Sequence, residues 1–103
     1  MSNVPEPPRT YKKFVERYPR LEQAWDLVHE AGAEGPLDER TQRLIKLGIA
    51  IGAMRQGSVT SSIRKARAMG ISDEEISQVV ALSAGTLGFP STVAIYSWIG
   101  LDK

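Results

Sequence analysis

The sequence predicts an all-α protein of six helices, on three observations. Apolar residues recur at spacings of three and four, as in Leu21, Ala24, Trp25 and Val28. Helix stops and starts punctuate these runs at Pro19, Gly35-Pro36, Gly70 and Gly88-Phe89-Pro90. No stretch alternates polar and apolar residues between turn dipeptides, as a strand would.

Residues 1–9 hold three of the six prolines and read as an extended arm, either a free tail or a strap on a neighbouring subunit. Residues 10–103 read as a single domain. Thr10 caps a short first helix with Tyr11, Phe14 and Tyr18 on one stripe, and Pro19 both ends it and suits the first turn of the next. That second helix carries the Leu21, Ala24, Trp25 and Val28 face, and the glycines at 32 and 35 end it. Asp38 is an N-cap for a third helix expected over 39–56. From Leu44 onward this helix is apolar nearly all round, which predicts burial on most sides. Gly48 and Gly52 in it imply close approach of another helix. Gly57 is the expected break, with Ser58 or a neighbouring hydroxyl capping a fourth helix that runs to about residue 69. Gly70 suits its left-handed C-cap. Ser72-Asp73-Glu74-Glu75 reads as a capping box opening a fifth helix that ends near Leu87. A last apolar helix, from 91 to about 99, bears Tyr96 and Trp98.

Composition narrows the function classes. Hydrophobic residues make up 42% and charged residues 24%, ordinary for a folded domain. Thirteen Lys and Arg against 12 Asp and Glu leave a charge of +1, so no nucleic acid or anionic membrane is expected as partner. With no cysteine, disulfides, thiolate nucleophiles and Cys-based metal sites are not expected. The N-terminus lacks an apolar signal core, and no run of about twenty apolar residues occurs, so a cytoplasmic location is expected.

The stretch from Gly52 to Gly70 is the expected centre of function. Ser58, Ser61 and Ser62 fall at helical spacing on one face, with Lys65 next on the same side. These hydroxyls read as caps and small packing groups, as a Ser–Lys pair, or as donors that line an anion pocket beside a helix N-terminus. No base stands within a turn of them; Arg55, Arg64 and Lys65 are the ionisable neighbours. His29 lies near a helix C-terminus with no second ligand nearby and reads as structural. Arg64, Lys65 and Arg67 read as a solvated face. Asp73, Glu74 and Glu75 read as capping groups, and no metal is expected. Trp25, Phe89, Tyr96 and Trp98 read as core or subunit contact.

The order LDERT, a buried small-residue helix, S-x-x-S-S-I-R-K-A-x-x-x-G, S-D-E-E-I and T-L-G-F-P resembles the carboxymuconolactone decarboxylase family, which includes the alkyl hydroperoxide reductase D-type peroxidases. The resemblance spans residues 37–99. It implies an all-helical alkyl hydroperoxide reductase D-like domain that assembles as homo-oligomers, usually trimers or hexamers. The peroxidase branch carries Cys-x-x-Cys-x-x-x-His and a glutamate. Aligned on Ala66-x-x-x-Gly70, its cysteines fall at Arg55 and Ser58, its histidine at Ser62 and its glutamate at about Arg43. Serine replaces neither a thiolate nor a reducible disulfide, so dithiol peroxidase activity is expected to be absent.

The resemblance leaves two readings. One is a lyase that needs no cofactor and acts on a small carboxylate or lactone, with Arg55, Ser58 and Ser62 in catalysis and Arg43 and Lys65 binding substrate. The other is a catalytically silent homo-oligomer that binds a small molecule or a partner.

Overall fold

The computed structural model describes residues 8–101, which fall into two compact units, 8–37 and 38–101. The arm expected over 1–9 lies outside the described residues except for Pro8 and Arg9, and Arg9 already opens a helix. Six helices and no strand occur among the described residues. None of the helices is long and apolar enough to cross a membrane.

The first unit is a pair of helices, α1 (Arg9–Arg17) and α2 (Pro19–Ala33). Tyr18 is the corner: its N–H donates to Phe14 O at 2.9 Å, and Pro19 starts α2 at a position where no amide is needed. The Phe14 and Tyr18 rings pack with centroids 5.2 Å apart, one turn from each other. His29 meets Trp25 edge-on at 4.6 Å in the same i, i+4 relation, which suits its structural reading. The α2 stripe was expected to be buried, yet no residue of α1 or α2 is. Leu21 and Trp25 are about half exposed. Two short helices supply too little opposing surface to enclose such a face.

The second unit joins α3 (Glu39–Gly52), α4 (Gln56–Ala68), α5 (Asp73–Leu87) and α6 (Phe89–Ile99). Contacts run from α3 to α4 and α5, and from α6 to α4 and α5, so the four helices enclose one core. Leu47 and Ile51 of α3, Val59 and Ile63 of α4, Ile76 and Val80 of α5, and Ile95 of α6 form its centre. Asp38 caps α3 by accepting from the Thr41 N–H at 2.7 Å, as its sequence position predicts. The capping box of α5 is complete: Glu75 N–H donates to Ser72 Oγ and Ser72 N–H donates to Glu75 Oε1. At the end of α4, Gly70 takes φ 83°, with Gly70 N–H donating to Arg67 O and Ile71 N–H to Ala66 O. This pair of bonds is the Schellman arrangement, and Ile71 is thereby folded into the core.

Several expectations for α3 and α4 are corrected. The central helix ends at Gly52 rather than 56, and the break comes at Ala53–Arg55 rather than at Gly57, which lies inside α4. Met54 takes the left-handed conformation at φ 57°, its N–H donating to Ile51 O while Arg55 N–H reaches Ala50 O. A second Schellman turn is thus built on a residue that pays a steric cost for it. Arg55, not Ser58, is the N-cap of α4, and no side chain caps this end. α3 is not buried on most sides either: Leu47, Ala50 and Ile51 are buried, while Ile49 is 65% exposed. A Cβ at Gly48 would meet Val79 at an ordinary 4.0 Å and one at Gly52 would meet nothing, so close packing requires neither glycine.

The Arg40 guanidinium bridges α3 to α5 by donating to Glu75. This bond, aided by the Ser72 N–H, holds the Glu75 carboxyl at about 2, below its ordinary 4.5. A depressed carboxylate stabilises the fold above its unfolded pKa and loses that contribution as pH falls through the folded one. Thermal unfolding is therefore expected to show a decline in stability between pH 4.5 and about 2. Arg40→Gln is expected to shift this decline toward the upper end of that window. The pair is exposed, so its size is modest. An identical acid profile for Arg40→Gln and the parent would show that the ion pair does not form.

Candidate functional site

α4 packs along α3 as the returning arm of a helical hairpin, and Arg43, Ser62 and Lys65 lie along that seam. The buried face of α4 is Val59, Ser62, Ile63 and Ala66; that of α3 includes Leu47 and Ile51. Arg43 stands four residues before Leu47, so it extends the same face of α3 by one turn.

Ser62 is the polar member of the buried face of α4. It is 6% exposed, and its Oγ has no hydrogen-bond partner. Other helical hydroxyls here bond back to the preceding turn: Ser83 Oγ donates to Val80 O at 2.6 Å, Thr92 Oγ1 to Gly88 O at 2.8 Å and Thr60 Oγ1 to Gly57 O at 3.1 Å. Ser62 makes no such bond, which leaves its hydroxyl able to donate elsewhere. The second buried polar side-chain atom without a partner among the described residues is Arg43 Nε. Burial disfavours the charge on Arg43 and draws its pKa down, though a guanidinium keeps its proton throughout the ordinary pH range.

Lys65 is half-buried one turn beyond Ser62. Its pKa is lowered first by burial and then by the positive charges of Arg43, Lys46 and Arg64. Arg43, Lys46 and Lys65 therefore form a cationic niche across α3 and α4, with the Ser62 hydroxyl one turn along. Lys46 was not a candidate in the sequence; its signal was the three-residue spacing from Arg43, which puts the two cations on one side of α3.

Arg55 and Ser58 occupy the other end of α4, and both are exposed. Ten residues of helix separate Arg55 from Lys65, about 15 Å along the axis. The uncapped N-terminus there presents amides suited to an anion. The structure thus brings Arg43, Lys65 and Ser62 into one region and sets Arg55 and Ser58 at the corner between α3 and α4.

Arg67, Asp73 and Glu75 have structural partners. Arg67 Nε donates to Asp73 Oδ1 at 2.9 Å, and Glu75 is held by its cap and Arg40. No group of His, Asp or Glu among the described residues is arranged to hold a metal ion. An open groove of about 580 Å³ runs between α3 and α5, walled by Leu44, Ile45, Val79 and Leu82, with Thr41 and Glu75 among its polar members. The cationic niche is not part of its lining.

Four helices around a core, with a cationic and hydroxyl-bearing seam and no cysteine, define an all-helical scaffold without thiol chemistry of its own. The model of the Carboxymuconolactone decarboxylase family matches residues 19–99, and the chain belongs to that family. The match begins at Pro19 and so includes α2, ahead of the segment whose motifs carried the resemblance. No curated protein and no solved structure matches the chain.

Proposed function

We propose that this protein is a lyase, independent of any cofactor, that acts on a small carboxylate or lactone in the cytoplasm. The observation that carries this reading is the pair of buried, unpartnered donors, Arg43 Nε and Ser62 Oγ, beside a half-buried Lys65 whose charged neighbours are all cations. Unpaired buried polar groups cost stability, and a substrate oxyanion that accepts from them offsets that cost. Arg43 holds a carboxylate that stays on the substrate, with Lys65 beside it. Ser62 donates to the oxygen that gains charge as the carbon–carbon bond breaks, where a fixed donor stabilises the transition state. Arg55 and Ser58 stand about 15 Å along the helix from Lys65, too far to touch a small substrate held there.

Release of carbon dioxide from a five-membered lactone that bears two carboxylates tests this reading. The parent protein is expected to turn it over, Arg43→Met to lose about a hundredfold of the rate and Arg55→Ala to retain it. No release by the parent would overturn the lyase reading.

The second reading is a silent homo-oligomer, a trimer or hexamer, that binds a small molecule. The apolar strip that α3 leaves open, with Ile45 and Ile49, favours assembly. Sedimentation tests the assembly, and a carboxylate that raises the melting temperature without being turned over would favour this reading.

A further inference from the structure

Lys65 is distinguished from the exposed Lys12 and Lys13 by its setting. It is half-buried on the α3 side of α4, one turn after the unpartnered Ser62 hydroxyl. The charged groups acting on it are Arg43 and Lys46 from α3 and Arg64 from its own helix, all positive. Tyr96 is the titratable residue of α6, the other helix packed on α4. Burial and neighbouring cations both favour the neutral amine, and a lysine desolvated beside a second cationic group is an activated nucleophile.

We propose that Lys65 forms an imine with the ketone of a 3-oxo dicarboxylate, one carboxylate of which rests on Arg43. This inference rests on the reading of the niche as a carboxylate site and narrows its substrate class. A dicarboxylate is required because pairing with arginine stabilises a carboxylate against loss, so the group that leaves must be the other one. The Lys65 Nζ lone pair attacks the ketone carbon. The ketone oxygen takes two protons, one of them left by the nitrogen, and departs as water, assisted by the Ser62 hydroxyl. The bond to the free carboxylate then breaks; carbon dioxide leaves and its electron pair moves into the iminium to give an enamine. Protonation at carbon restores the iminium, and water hydrolyses it to the shortened oxo acid and free Lys65. Overall, oxo diacid and one proton give oxo monoacid and carbon dioxide.

The test treats the full chain with 3-oxoglutarate and cyanoborohydride, followed by intact mass and peptide mapping. The expected result is one reduced adduct per chain, at Lys65, which is lost in Lys65→Arg although circular dichroism shows that variant folded. Its rate is expected to reach a plateau at a lower pH than labelling of Nα-acetyl-lysine under the same conditions. Adducts spread evenly over the lysines, or persisting in Lys65→Arg, would overturn the imine. Glutarate, which lacks the ketone, separates the two claims. If glutarate raises the melting temperature of the parent but not of Arg43→Met, while 3-oxoglutarate leaves no adduct, the imine fails and the carboxylate site stands. If glutarate does not bind, both fail together.

Discussion

Leu47→Ala is expected to lose about 2–5 kcal/mol of stability, a large share of what a domain of this size holds. Leu47 is fully buried at the middle of α3, and α3 is the helix that meets both α4 and α5. Truncation there opens a cavity whose walls belong to three different helices, so no single helix can shift to fill it. Ile49 provides the comparison. It lies two residues away on the same helix but is 65% exposed in the single chain. In protein dilute enough to be monomeric, Ile49→Ala is expected to cost under about 1 kcal/mol, since little apolar area leaves the interior. Chemical denaturation of both variants over a range of protein concentrations measures the difference. If assembly covers Ile49, its cost grows with concentration while that of Leu47 does not. Equal and small losses at both positions would contradict the core as described.

The contrast between these two residues shows where sequence reasoning was strong. Local chemistry was legible wherever a residue type leaves few alternatives. Ser72 with Glu75 three residues on, Asp38 before a periodic run, and Gly70 at the end of one all stand in the arrangements their spacing predicts. Each is decided by bonds within a single turn. The α3–α4 corner was not legible, because a methionine fills a left-handed position that glycine normally takes, while the nearby Gly57 adopts helix. Local preference alone puts the break at the glycine, and the chain breaks a few residues earlier. Periodicity also misled on burial. The α2 stripe and the second apolar side of α3 have the right spacing, but spacing alone does not say whether an opposing surface exists. At the candidate site, helical spacing put Ser62 and Lys65 on one face, and the family resemblance supplied Arg43. Their shared region, and the part played by Lys46, depend on how α4 returns along α3.

Ser62→Ala is expected to raise stability while lowering affinity for a carboxylate, and the two effects together are diagnostic. A buried hydroxyl without a partner costs about 1–3 kcal/mol relative to one that is satisfied or absent. Alanine removes the oxygen and keeps the Cβ, so it opens almost no cavity at a position that is 6% exposed. The melting temperature is therefore expected to rise. A core serine kept for packing alone has no reason to remain where alanine is more stable; one kept for a ligand does, since sites of action commonly hold groups whose needs are met only when occupied. With glutarate present, the advantage of the alanine variant is expected to shrink or reverse, because the parent alone regains a hydrogen bond on binding. Differential scanning calorimetry of both proteins, with and without glutarate, measures all four states. A melting temperature that falls on Ser62→Ala would mean the hydroxyl is already satisfied within the fold. The cationic seam would then lose the donor on which its proposed chemistry depends.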